Sequence, residues 1–193
     1  LLTELNLGNA YGDLKQFELS EEYFRKSRSR ITPEEDPYNY SLLSYNIANI
    51  ILTQNPKDSS SKDLLRESFV ISSRYNFYNL QYMAANNFVN YYLSSHDRNL
   101  DSAKYWLDLS DIILENHDYP TPRLFNHIAH GDYYRQIGDN KKSLEELMKG
   151  KDLVKNVQED AVKYALDFEL SKTYEALGNY SEALKTYRQA TEA

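Results

Sequence analysis

Apolar and small residues recur three and four positions apart along most of this chain, which is the spacing of one helix face. Near the C-terminal end, Tyr174 and Leu177 are three apart, and Ala183 and Tyr187 are four apart. This helical signal dominates the sequence. With boundaries defined to about three residues, it predicts an all-α protein of ten helices, at 1–14, 18–31, 38–54, 59–74, 77–95, 99–116, 121–137, 140–156, 158–177 and 180–193.

The last two predicted helices are separated by a sequence suited to a tight turn. Gly178 accepts the left-handed conformation in which many helices end, and Asn179 tolerates the same geometry. Ser181 is a residue type that caps a following helix. Small residues at Gly178, Ala183 and Ala190 alternate with rings, which indicates two helices that fold back and approach closely.

The same arrangement returns about every forty residues. Residues 131–150 repeat it, and weaker versions occur at 100–110, at 44–73 and at the start of the chain. Alignment of Ser20, Leu65, Ala103, Ser143 and Ala183 gives separations of 45, 38, 40 and 40. A fixed period of this size predicts stacked helical hairpins.

The spacing Tyr-x-x-Leu-Gly-x-Tyr-x-x-Ala-x-x-x-Tyr-x-x-Ala at 174–190 resembles the tetratricopeptide repeat. The first repeat is similar at Leu7, Gly8, Tyr11, Phe17, Ser20, Phe24 and Ser27. The resemblance implies a single right-handed α-solenoid of about five antiparallel helix hairpins, with repeats at 1–34, 35–75, 76–117, 118–156 and 157–193. These repeats are longer than the usual 34 residues, and in this they resemble those of bacterial tetratricopeptide regulators and sensors.

The resemblance also implies a binding surface, because the first helices of such hairpins line the concave side of a solenoid. Rings there could anchor a partner's apolar side chains, and amides could bond an extended peptide backbone. The competing interpretation is that the rings pack between neighbouring helices and that the polar residues are ordinary surface. The residues concerned are Asn9, Tyr45, Asn49, Gln81, Phe88, Tyr91, Tyr92, Phe125, Asp132, Arg135, Gln136, Phe168 and Lys172.

Composition narrows the classes of partner. The 193 residues carry a net charge of −7 and no cysteine, which argues against direct nucleic-acid binding and excludes disulfides and thiolate metal sites. No run of about eighteen apolar residues is present, so no membrane insertion is expected. The chain starts at Leu1 without a Met and ends within a repeat. We therefore expect part of a longer protein, with the cytoplasm favoured over an extracytoplasmic part of a membrane-anchored sensor.

The strongest candidate for chemistry is the pair His127 and His130, three apart on one predicted helix and followed by Asp132. Two imidazoles at this spacing can share a metal, but zinc needs three or four protein ligands. In the repeat register both histidines should face the hairpin partner. The acidic groups at 34–36, 145–146 and 159–160 fall near helix ends or on exposed stripes, where they favour the helix dipole. No phosphate-binding glycine loop is present, so we expect no cofactor, no metal and no catalysis.

The function predicted from these observations is a non-catalytic scaffold that binds a protein or peptide segment. A sensory or regulatory domain of a bacterial signalling protein or transcriptional regulator is the alternative, and a metal-dependent enzyme around the two histidines is a distant one. Binding of acidic chaperone tails is disfavoured, because Leu5 stands where the family's carboxylate clamp has a Lys and because the net charge repels such a tail. A homodimer through the terminal helices, residues 180–193, is a further arrangement open to the chain.

Overall fold

The structure is a computed structural model that describes residues 2–56, 58–94, 98–115, 117, 119–157 and 160–191. These residues contain no strand. Their helices are α1 (Leu2–Asp13), α2 (Phe17–Arg28), α3 (Pro37–Gln54), α4 (Ser60–Arg74), α5 (Tyr78–Ser94), α6 (Leu100–Glu115), α7 (Pro120–Gln136), α8 (Asn140–Leu153), α9 (Asp160–Ala176) and α10 (Tyr180–Thr191), with a short 3₁₀ helix at Val154–Asn156.

The ten predicted helices are confirmed, each to within about three residues. Pro37 and Pro120 begin α3 and α7, where the missing N–H of proline costs no hydrogen bond. The eighth predicted helix is the least regular, because its last turn continues as the 3₁₀ helix. Among the described helices, none combines the length and hydrophobicity that crossing a bilayer requires.

The helices group into two compact units, an N-terminal unit at Leu1–Arg98 and a C-terminal unit at Asn99–Ala193. In the N-terminal unit, α1 packs on α2 and α3 packs on α4, while α2 and α5 contact α3. Its core is formed by Phe24, Leu43, Ile47, Ile50 and Ile51.

The C-terminal unit repeats this plan. Helix α7 packs on α8, α9 packs on α10, and α7 and α8 both contact α9, while α6 lies against α7. The core is again aliphatic and includes Leu124, Leu147, Val162, Leu166 and Leu170. The two helices of the predicted third repeat, α5 and α6, therefore belong to different units. The boundaries of the five predicted repeats stay a prediction.

Paired helices approach closely at positions that lack a large side chain. The Ser20 hydroxyl on α2 donates to the Gly8 carbonyl oxygen on α1 at 2.7 Å. Ser143 on α8 donates in the same way to Gly131 on α7, also at 2.7 Å. A methyl group added to Gly8 would lie 2.5 Å from the Phe24 ring, inside van der Waals contact. Each of these two pairs is therefore held together where a glycine meets a small hydroxyl residue.

The second repeat has a different register from the one predicted. Leu65 was aligned with Ser20, but the structure gives Leu65 the place of Phe24, the large buried residue one turn further on. The matching small residue is Ser61, which is fully buried four residues before Leu65 as Ser20 is four before Phe24. The corrected set, Ser20, Ser61, Ala103, Ser143 and Ala183, is separated by 41, 42, 40 and 40 residues, which is more regular than the predicted set.

Three hairpin turns share one backbone geometry. Gly138 and Gly178 have φ values of +84° and +76°, and Lys15 takes the same place in the first hairpin with φ +57°. In each turn, the next residue donates its backbone N–H to a tyrosine carbonyl oxygen five positions earlier, at 2.8 to 2.9 Å. This bond is the signature of the Schellman motif.

Two predictions about the last turn need correction. Gly178 has no atom within 4 Å of where a side chain would begin. It is therefore required by the positive φ and not by close helix packing. The capping residue of α10 is Asn179, whose side-chain oxygen accepts from the Glu182 N–H at 3.4 Å. Ser181 already lies inside α10 and so cannot cap it.

Replacement of Gly8 tests the close approach of the first two helices. Gly8→Ala should lower the free energy of unfolding by about 1 to 3 kcal/mol, because the Phe24 ring or the helix backbones must move apart. Denaturation followed by circular dichroism measures the change. Gly12→Ala on the same helix is the matched control, because its nearest atom would be Ser20 Oγ at 3.3 Å. Equal stability of the two variants would show that the helix approach does not require Gly8.

Lys15 is strained where the other two turns have glycine. Lys15→Gly should raise the free energy of unfolding by about 0.5 to 1 kcal/mol, since relief of the left-handed conformation exceeds the added chain entropy. Lys15→Ala keeps the Cβ atom that causes the strain, so it should leave the thermal midpoint unchanged. A stabilising Lys15→Ala would instead implicate the charge of the lysine.

Candidate functional site

The predicted surface residues all lie on α1, α3, α5, α7 and α9, but their exposure differs. Four are exposed: Asn9, Asn49, Phe125 and Phe168. Six are half-buried: Tyr45, Tyr92, Asp132, Arg135, Gln136 and Lys172. The remaining three are buried: Gln81, Phe88 and Tyr91.

The three buried residues all belong to α5, where the prediction fails for a physical reason. Phe88 is 1% exposed and Tyr91 is 3% exposed, and the Gln81 side chain donates to the Ser72 carbonyl oxygen at 3.0 Å. The apolar side of α5 is wide, so the rings at these positions serve the interior, which is the competing interpretation of the sequence. Gln81 and Phe88 are therefore packed inside, whereas Tyr91, although buried, contributes part of the wall of a surface cleft.

A pattern of asparagines that the sequence analysis missed runs along the first helices of the N-terminal unit. Two asparagines three positions apart occur in each of them: Asn6 and Asn9 on α1, Asn46 and Asn49 on α3, and Asn87 and Asn90 on α5. Successive pairs are 40 and 41 residues apart, close to the repeat period. These six residues, here called the asparagine face, occupy equivalent places in the N-terminal unit.

Two clefts lie along the asparagine face. The larger, about 470 Å³, is lined by Asn9 on α1 together with Asn46 and Asn49 on α3. The smaller, about 230 Å³, is lined by Asn49, Asn87 and Asn90. Asn49 and Thr53 line both clefts, so the two adjoin and extend across α1, α3 and α5.

The amides of α3 and α5 contact each other directly. Asn87 Nδ2 donates to Asn49 Oδ1 at 3.2 Å, which orients both side chains. Tyr45 lies beside them, where burial raises its pKa to about 12 against the opposing effect of a hydrogen bond with Asn87. The phenol is therefore neutral at physiological pH, and the asparagine face adds no charge at this point.

The predicted residues of the C-terminal unit form a different surface, made of paired charges. Arg135 contacts Asp132 and lies 3.3 Å from Glu169, whose other carboxylate oxygen is 2.6 Å from Lys172 Nζ. Gln136 donates to Asp132 at 3.0 Å. Burial raises the pKa of Asp132, as does nearby Glu169, and Arg135 opposes both. Opposite charges on α7 and α9 are thus already matched to one another.

Two aromatic residues of the predicted surface are exposed on the C-terminal unit, and one of them contacts a paired charge. Lys172 Nζ lies 4.2 Å from the centre of the Phe168 ring, within the range of a cation–π contact. Phe168 and Phe125 are 42% and 37% exposed. The rings predicted as anchors are therefore accessible on this unit, whereas Lys172, the cation beside Phe168, is already paired with Glu169.

The two histidines make separate contacts. His127 Nδ1 lies 2.9 Å from Glu146 Oε2 on α8, the hairpin partner, as predicted. His130 Nε2 instead lies 3.0 Å from Asp111 Oδ1 on α6, so the prediction that it faces α8 is wrong. In the part of the chain that the structure describes, no three potential ligands come together as a metal site requires. His96 lies outside the described residues.

Carboxylates of the three acidic groups make structural contacts, as Asp36 and Glu146 show. Asp36 caps α3 by accepting the Asn39 N–H at 3.1 Å. The hydrogen bond with His127, aided by Lys149, lowers the pKa of Glu146 to about 2 in spite of partial burial. A carboxyl group with so low a pKa stays ionised and is unsuited to act as a general acid. Glu159 lies outside the described residues.

Comparisons with known proteins agree with this architecture. The model of the tetratricopeptide repeat family matches residues 5–27 and 168–193. Similar solved structures include TPR-like repeats ascribed to a kinesin light chain of Podosopora anserina, with a TM-score of 0.66, 14% identity and coverage of 100% of this chain and 93% of that one. A thermophilic TPR protein of Thermus thermophilus has a TM-score of 0.64, 20% identity and coverage of 99% and 90%. Comparison with curated proteins gave no match.

The two matched segments contain the Gly8–Ser20 approach and the turn at Gly178, the features from which the resemblance was stated. The predicted fold class, an all-α solenoid of helical repeats, is thereby confirmed, as is the resemblance to the tetratricopeptide repeat. Such repeats generally mediate interactions between proteins.

The contact between His127 and Glu146 predicts how stability depends on pH. Because the pKa of Glu146 is lowered on folding, its contribution is present above the unfolded pKa near 4.5 and is lost as the pH falls towards 2. His127→Ala should remove about 1 to 2 kcal/mol of this contribution and shift acid unfolding, followed by circular dichroism, to higher pH.

Lys149→Ala is the matched control, because Lys149 contacts the same carboxylate at 2.7 Å but is 60% exposed. Its effect on the acid midpoint should be clearly smaller. Equal shifts in the two variants would mean that His127 has no special role in holding the Glu146 charge.

Proposed function

We propose that this tetratricopeptide-repeat fold is a non-catalytic scaffold that binds an extended segment of a partner protein along the asparagine face of its N-terminal unit. The observation that carries the proposal is the recurrence of an asparagine pair on α1, α3 and α5, because five of these six residues line two adjoining clefts. Asparagines at unrelated positions would not recur at the same place on three alternate helices.

An amide surface of this kind suits a polypeptide backbone. Each asparagine side chain has two N–H donors and one carbonyl acceptor, and an extended chain presents N–H and C=O groups on both sides. Neighbouring packed helices lie about 8 to 10 Å apart, so two steps span about 20 Å. An extended segment of about six residues covers that distance.

The clefts also offer places for side chains of the bound segment. Phe17 and Ile50 contribute apolar surface to the larger cleft, and Leu52 and Pro56 contribute it to the smaller. Backbone bonding to the amides gives affinity, whereas small apolar pockets at alternate positions give selectivity. The asparagine face therefore fits a segment with modest apolar side chains better than one with large rings.

Regulation remains an alternative for the role of this binding. In a sensory domain of a bacterial regulator, occupation of the same face would change the arrangement of the repeats. Small-angle scattering with and without a bound peptide distinguishes the two, because a passive scaffold keeps one scattering profile. The homodimer through residues 180–193 also stays a prediction, and Tyr180, Leu184 and Tyr187 of α10 are exposed.

Loss of single amides should weaken binding without unfolding the protein. Peptides enriched from a displayed random library on the wild-type protein should bind Asn49→Ala and Asn90→Ala about three- to ten-fold more weakly, the effect of one or two hydrogen bonds. Fluorescence anisotropy measures the dissociation constant, and circular dichroism checks helicity.

Asn140→Ala is the control for these variants. It makes the same change on α8, outside the asparagine face, and should leave the affinity unaltered. Failure to enrich any peptide, or equal affinity of all three variants and the wild type, would contradict the proposed function.

A further inference from the structure

We infer that the segment bound by the asparagine face carries a lysine or arginine at the end that reaches the turn between α1 and α2, where its cation meets Asp13. The inference rests on the proposed function and adds the chemistry and direction of the partner. It comes from the distribution of charge along the two clefts.

Asp13 is the single formally charged residue among those described as lining either cleft. The rest of the larger cleft consists of Gly8, Gly12, Ser20, Thr53, the apolar Phe17, Phe24 and Ile50, and the three asparagines. The smaller is lined by Leu52, Thr53, Pro56, Tyr91, Ser94 and three asparagines. A bound segment therefore meets a neutral surface with one negative charge at its α1 end.

Nothing in the described structure uses this carboxylate. Asp13 is exposed and makes no hydrogen bond or ion pair with a described residue. Its position is also unfavourable for the helix, because it is the last residue of α1, where the dipole is negative and an acid is destabilising. A residue that breaks a local rule without structural compensation is often a functional one.

The surroundings of Asp13 add to its field. Glu18 is exposed at the start of α2, next to the cleft residue Phe17, and accepts from Gln54 Nε2 at 3.1 Å. Lys15 lies at the turn but does not line the cleft. The net charge of −7 favours approach of a cationic segment at long range. An acidic segment would meet no cation among the described residues that line the two clefts.

Selection of peptides from a displayed random library provides the test. When the peptides enriched on the wild-type protein are aligned, they should share a Lys or Arg at one end of their common segment. Asp13→Asn should weaken binding of such a peptide about three- to five-fold, and Asp13→Lys about ten-fold or more, as expected for one exposed charge pair lost or reversed. The effect should fade between low and high salt.

Two further measurements make the result specific. Glu22→Lys makes the same charge change at an exposed α2 position outside the clefts, and it should alter affinity less than about two-fold. The thermal midpoint of Asp13→Asn should equal or exceed that of the wild type, because an acid is removed from a helix C-terminus. Weaker binding together with undiminished stability is not expected of a merely structural residue.

The outcomes separate this inference from the proposed function. Enriched peptides that depend on Asn49 but lack a common cation, or that bind Asp13→Lys as tightly as wild type, overturn the inference and leave the proposed function standing. Equal losses in Asp13→Lys and Glu22→Lys overturn it too, because attraction would then be unspecific. Failure to enrich any peptide, or enrichment that ignores Asn49→Ala, overturns both.

Discussion

The structure depends on the close approach of paired helices, which is seen most directly in the pairs α1–α2 and α7–α8. At Gly8 and Gly131 the space normally taken by a side chain is filled by Phe24 and Leu147 from the opposite helix, and a serine hydroxyl binds the glycine carbonyl oxygen. The contact satisfies a polar group in a buried place and allows dense packing at the same point. Such a pair can therefore form a rigid unit from a short length of chain, without one large continuous core.

This manner of packing determines which residues are left for function. The second helix of a pair directs its small–large–small positions, such as Ser20, Phe24 and Ser27, towards the interior. The first helix has buried residues as well, but Asn9 and Asn49, one position after Gly8 and Ala48, remain exposed. The positions beside the close approach recur with the period of the repeats. Side chains next to them are consequently presented at a constant spacing, which a partner of regular geometry can recognise.

Sequence alone was sufficient for the ten helices and for the positive φ of Gly178, but it gave no signal for the first turn, where Lys15 takes the place of glycine. The sequence-based predictions failed in the second repeat and on α5. In the second repeat Leu65 was expected at the place of Ser20, but the fully buried Ser61 occupies it. On α5, Phe88 was predicted as a binding residue because it is aromatic, but its ring lies in the interior. The asparagine pairs were detectable from the sequence, since their separations of 40 and 41 residues match the period of the repeats.

The two units differ in what binding would require of them. On the C-terminal unit, Arg135 and Lys172 are already matched by Asp132 and Glu169, so a charged ligand must first displace a formed contact, and burial of one unmatched charge costs several kcal/mol. The amides of the N-terminal unit are neutral and bind water when free, and exchange of water for a peptide backbone changes little in electrostatic energy. Asp13, which has no partner among the described residues, is the exception within that neutral surface. A segment that meets amides along its length and a carboxylate at one end is thereby fixed in direction as well as in place.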